Sequence, residues 1–178
     1  MAPYHPTMKA ILSSLAAGAL WVSAAAADEA ERCGELPPAV AETKAAIFKA
    51  ATARDYAALA KLADPDGFEY SFGEEGGDPV AYWKAVDAEG TDIRATIAAV
   101  LEMGCAVVAY EEMTEYVWPF AADAAYGELT AAEKAALERL YPGHVEDQYI
   151  EGTAVGYYVG WRLFIAEDGR WTGFVAGD

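Results

Sequence analysis

Basic residues are scarce in this chain, cysteine and histidine scarcer still, and no apolar run is long. Twelve Lys and Arg stand against 29 Asp and Glu, a formal net charge of -17 over 178 residues. So little positive charge excludes nucleic acid as a partner, because binding phosphate needs a basic face. The same field repels an anionic membrane surface. Two cysteines are too few for the four-ligand thiolate zinc sites of ribbons and fingers. No Gly-x-Ser-x-Gly elbow, zincin His-Glu pattern or P-loop occurs, so no ready-made hydrolase or phosphate cradle is visible. No internal repeat or linker interrupts the chain.

What is present is aromatic. Eleven Tyr, 5 Trp and 6 Phe are enough to build a core and too many for a disordered tail. Alanine inflates the 54% hydrophobic share, so the rings must supply much of the large apolar surface. The length suits one domain.

The first residues read as an address. Met8-Lys9 is a positive start, Ala10 to Val22 is apolar, and Ser23 to Ala27 are small, with Asp28 and Glu29 following. That is the layout of a secretory signal peptide cleaved after Ala27; a membrane span needs about 20 apolar residues. The expected division is a leader over 1–27 and a single domain over 28–178, in a periplasmic or secreted protein. Removing the leader takes away Lys9 and no acid, so the mature charge becomes 11 minus 29, or -18. Export gives the cysteines a meaning, because an isolated pair in an oxidising compartment closes into a disulfide. Cys33 is expected to bond Cys105. A reactive thiol would want an electropositive setting, which neither position has.

Helices come first. Pro37-Pro38 opens one carrying Val40, Lys44, Ile47, Phe48 and Ala51 at helical spacing. Asp55 caps a second through Leu62, and Asp64 to Gly67 is a turn. Phe68, Tyr70 and Phe72 alternate with polar residues as in a half-buried strand. Asp78-Pro79 opens a helix containing Trp83, and Thr91 or Asp92 caps another over Ile93 to Leu101. Cys105 to Tyr110 and Tyr116 to Phe120 read as extended. Thr130 and Glu133 form a capping box for a helix through Leu140. Thr153 to Ala166 is a strand-like run, and Glu167-Asp168-Gly169 turns it back into Arg170 to Val175. Helices early and strands late give an α+β fold: N-terminal helices packed on a mainly antiparallel, strongly curved C-terminal sheet. The alternative is helices plus a small SH3-like barrel.

Several pieces carry a resemblance: Ala53-Arg54-Asp55-Tyr56-Ala57-Ala58-Leu59, Tyr70-Ser71-Phe72-Gly73, Trp83, Gly104-Cys105 and the ending Gly169 to Asp178. The chain resembles a group of small exported bacterial α+β proteins of unassigned function, which brings no catalytic motif. Its helix pair, aromatic strand and late sheet are also similar in architecture to NTF2-like (SnoaL-like) domains.

Candidate sites are few. His144, the one histidine left after leader removal, has Glu146 and Asp147 nearby and could act as a general base, though an exposed loop histidine is the plainer reading. Glu69 and Glu111 have aromatic or apolar neighbours, where a raised pKa would mark an acid–base site. Asp64, Asp66 and Glu69, and again Glu74, Glu75 and Asp78, are acidic turns without EF-hand spacing. No metal, cofactor or catalytic residue is assigned. Trp118, Tyr126, Tyr149, Tyr158, Trp161 and Arg162 gather in the later half. On a strand, Trp161 and Leu163 share one face while Tyr158, Arg162 and Phe164 share the other. One face could stack a sugar ring or an apolar ligand, with Arg162 holding an anionic group. The expectation is a non-catalytic exported protein binding a small molecule, peptide or protein partner through a concave aromatic face. The alternatives are an NTF2-like isomerase or hydrolase with a buried carboxylate, or a purely structural envelope protein.

Overall fold

The computed structural model describes residues 32–71, 74–75, 77–109, 113–150 and 157–177. Among the described residues, five α-helices come from local signals. Helix α1 (Pro38–Thr52) begins at two prolines, where a missing N–H costs nothing. Helices α2 (Tyr56–Leu62), α3 (Pro79–Ala88) and α4 (Ile93–Leu101) are capped by Asp55, Asp78 and Asp92, whose carboxylates accept from Ala58, Val80 and Ala95 N–H. Each cap satisfies one of the orphan donors of a first turn. In α5 (Ala131–Leu137) the capping box is reciprocal: Thr130 N–H donates to Glu133 at 2.7 Å and Glu133 N–H to the Thr130 hydroxyl at 3.2 Å. That helix stops at Leu137 and continues to Leu140 only as turns.

Among the described residues, six strands form one open sheet in the order β2 (Glu74–Glu75), β1 (Glu69–Ser71), β8 (Trp171–Val175), β7 (Arg162–Ala166), β4 (Thr114–Trp118) and β3 (Ala106–Ala109). All neighbours are antiparallel except β1 and β8, which run parallel. The fold is therefore α+β with a mixed, mainly antiparallel sheet. It is not closed, which overturns the SH3-like barrel alternative: the edges lie at β2 and β3. Among the described residues no helix is long and apolar enough to cross a membrane.

Hairpin β7–β8 is the centre of the sheet, and α1 sits over its turn. Gly169 has φ +91°, and a Cβ there would press on Ala39 of α1 at 2.9 Å. Thr43 donates to the Gly169 carbonyl at 2.6 Å. Glycine is required on both counts: a left-handed backbone and a close helix.

Period-2 alternation gives the sheet two unlike faces. Tyr116 and Trp118 of β4, Leu163 and Ile165 of β7, and Trp171 and Phe174 of β8 point to the helices and join Ile47, Leu59, Trp83, Ile93 and Ile97 in the main core. Trp83 stacks between Tyr56 (6.2 Å) and Trp171 (5.8 Å). Phe68 meets both indoles edge-on, a geometry that suits the ring quadrupoles. Cys33 and Cys105 form the expected disulfide, with Cα atoms 5.9 Å apart. It ties the N-terminal segment to the start of β3. Arg32 beside it pairs with Glu133 of α5 and lies over the Phe120 ring.

The run expected to be extended over Thr153–Ala166 is divided. Residues 153–156 lie outside the described residues. Tyr157–Tyr158 forms β6, paired with β5 (Tyr149–Ile150) in a separate two-stranded sheet, and β7 begins only at Arg162. Gly160 sits at the break, where any Cβ would collide with the Tyr158 and Tyr141 hydroxyls. Trp161 N–H donates to the Tyr141 hydroxyl at 2.6 Å instead of to a strand. Tyr149 and Tyr158 thus belong to a second core with Met103, Phe120, Leu129, Leu137 and Val145. The strand expected over Tyr116 to Phe120 is Thr114–Trp118, with Phe120 starting a 3-10 helix.

Candidate functional site

The face of the sheet turned away from the helices carries Glu69 of β1, Glu115 of β4, Arg162 and Phe164 of β7, and Val175 of β8. Together with the turn after α2 and the β7–β8 turn they line a cavity of about 550 Å³. That size falls in the range of small-molecule sites, roughly 300–1,000 Å³.

A bulge shapes its floor. Phe164 pairs with Gly173 and Ile165 with Trp171, leaving Thr172 as the extra residue on β8. Bulges re-aim side chains. Here the Thr172 hydroxyl reaches across β7, donating to Glu115 Oε1 at 2.8 Å and lying 3.3 Å from the Phe164 carbonyl. Glu115 is only 7% exposed, held there because its strand neighbours Tyr116 and Trp118 must point into the core. Among the described residues it has no ion-pair partner, and its second oxygen has no hydrogen-bond donor.

The rim is charged. Arg170 Nη1 contacts Asp64 at 2.9 Å and its Nε contacts Asp168 at 2.8 Å. These bonds hold the Asp168 carboxyl below the usual carboxylate range and the guanidinium above its own. Asp64 is nearly buried and also accepts from Asp66 N–H, closing the turn. Arg162 donates to the Gly177 carbonyl at 2.7 Å. Four carboxylates (Asp64, Asp66, Glu69, Glu115) face two guanidiniums around the cavity, a formal balance of 2 minus 4, or -2.

The six residues expected to bind a ligand do not gather in one place. Trp118 is fully buried in the main core, with Lys44 over its ring. Trp161 is half-buried on the helix side, stacked on Phe174 at 4.7 Å. Tyr126, Tyr149 and Tyr158 form a chain of rings 5.4–5.5 Å apart in the second core. Burial pushes the Tyr149 and Tyr158 phenols well above their ordinary range. Arg162 alone reaches the cavity. Among the catalytic candidates, Glu69 lies on the cavity wall and Glu111 lies outside the described residues. His144 is in an exposed pair with Asp147 at 2.8 Å, its ring well open to solvent. Among the described residues no group of three His, Cys, Asp or Glu converges as metal ligands.

Glu115 and Thr172 were not expected in the site; Phe164 was expected on the Arg162 face, and it lines the cavity there. Glu115 alternates with Tyr116 and Trp118, so period 2 alone sets it opposite the core; the bulge that brings Thr172 to it leaves no sequence trace beyond Gly173. No protein-family model matches the chain, and no curated protein matches it.

Proposed function

We propose that the chain is a non-catalytic exported protein that binds a small molecule, or a side chain of a peptide or protein, in the cavity on the open face of its sheet. The observation that carries the reading is the 550 Å³ cavity with the buried Glu115 carboxylate beside half-exposed Phe164. The Cys33–Cys105 disulfide suits an oxidising compartment, in keeping with a leader over 1–27 and a periplasmic or secreted site. Catalysis is the weaker reading. An NTF2-like acid–base mechanism wants a carboxylate in an apolar pocket, whereas Glu115 accepts from Thr172 and lines its cavity with three other acids.

A fragment screen on the ¹⁵N-labelled chain with its disulfide intact tests the proposal. Hits are expected to shift the amides of Glu115, Phe164, Thr172 and Gly173. Hits confined to the Tyr126–Tyr149–Tyr158 cluster would move the site there. A complete absence of hits would favour the purely structural envelope role.

A further inference from the structure

We infer that the cavity takes an organic monocation: an ammonium or amidinium group on a small apolar body, with the charge at Glu115 and the apolar part on Phe164. The inference rests on the binding proposal above and specifies its ligand class.

Charge accounting comes first. Glu115 is a buried carboxylate whose one described partner is a neutral hydroxyl at 2.8 Å. A hydroxyl satisfies a lone pair but supplies no countercharge, and a buried charge is costly unless it is paired. Among the described residues neither guanidinium of the cavity makes an ion pair with Glu115. Arg170 spans Asp64 and Asp168, and Arg162 is turned to the Gly177 carbonyl. The free oxygen of Glu115 therefore faces a cavity whose lining has a formal charge of -2. An anion would be repelled by that wall. A divalent metal would need converging ligands, and among the described residues no three His, Cys, Asp or Glu provide them.

Shape comes second. Phe164, Met113 and Val175 give the lining an apolar part next to Glu115. An ammonium within reach of the carboxylate leaves its hydrocarbon body over Phe164, where a ring face adds to cation binding. One charged end and one apolar end are what this wall can satisfy together.

The test uses the mature chain with its disulfide intact and three probes that share a phenylethyl body: phenethylamine, 2-phenylethanol and 3-phenylpropionate, titrated at neutral pH and low salt. Phenethylamine is expected to shift the Glu115, Phe164 and Thr172 amides and to bind at least ~10-fold more tightly than the alcohol, the factor that a 1.4 kcal/mol difference gives. Phenylpropionate is expected to leave those amides unmoved. Glu115→Gln should remove the preference for the amine and leave the alcohol's affinity unchanged. Phe164→Ala should weaken both, which keeps the inference testable if the first variant folds poorly. Equal binding of the three probes at these amides would overturn the cation inference while leaving the binding proposal intact. Were all three to leave every cavity amide unmoved in a folded chain, the cation inference would fall, and the fragment screen would decide the binding proposal.

Discussion

The two faces of the sheet are built from the same strands and differ in what they ask of a side chain. On the helix side, Tyr116, Trp118, Leu163, Ile165, Trp171 and Phe174 are buried among apolar neighbours, and shape decides. On the open side, Glu115, Arg162, Phe164 and Thr172 sit one residue out of phase and line a charged cavity. The helix side is filled by stacked rings, so its residues answer for stability. The open side keeps a buried acid that makes no ion pair among the described residues, and the proposal is that its residues answer to a ligand. Substitutions on the two faces should separate stability from binding.

The largest effect belongs to the covered face. Trp83 is fully buried between Tyr56 and Trp171, and Trp83→Ala should cost about 3–5 kcal/mol by the usual cavity and transfer terms. Urea denaturation followed by far-UV dichroism measures it. A loss under about 1 kcal/mol would mean that the ring stack is decorative and that the contrast between faces is false.

Next comes the tie between the covering layer and the sheet. The Cys33–Cys105 bridge spans a sequence separation of 72 residues, and the loop-entropy argument gives such a cross-link up to roughly 4 kcal/mol. The Cys33→Ser, Cys105→Ser double variant should lose about 2–4 kcal/mol while phenethylamine still perturbs the open-face amides, since neither sulfur touches the cavity. Loss of that perturbation in a chain that remains folded would show that the two faces are coupled.

How much of this was legible beforehand follows from the range of each signal. Asp55, Asp78, Asp92 and the Thr130–Glu133 box act within one turn, and all four cap helices as the sequence implies. Asp168-Gly169 marks the β7–β8 hairpin for the same reason. The parallel pairing of β1 with β8 joins Glu69 to Gly173, and no local pattern announces it. The late aromatics were read as a groove because they are crowded and polar-tipped. In an alanine-rich chain those rings have to fill the cores, and Trp118, Tyr149 and Tyr158 do so. Arg162 was placed on the ligand side with Phe164 by strand parity, and it lines the cavity with Phe164. The acid opposite them was missed. Glu115 is one of 29 acids in the sequence with no local mark of its own, and only the β4–β7 register, with Glu115 against Ala166, brings it to that wall.

The smallest stability effect is the most informative one. Glu115→Gln keeps an oxygen to accept from Thr172 and removes a charge that makes no ion pair among the described residues. Breaking an established buried ion pair would be strongly destabilising, but removing an uncompensated charge is neutral or favourable. The variant is therefore expected to match the parent within about 0.5 kcal/mol or to exceed it, as surface-like changes do. Phe164→Ala, at a half-exposed position, should cost under about 1.5 kcal/mol on the transfer scale. Paired melts in the absence of any probe read both. If Glu115→Gln instead loses more than about 2 kcal/mol, the carboxylate is part of the sheet's own hydrogen bonding, and the open face is a structural surface like its opposite. If it is neutral alone and the amine preference disappears with it, the acid is kept for a ligand rather than for the fold.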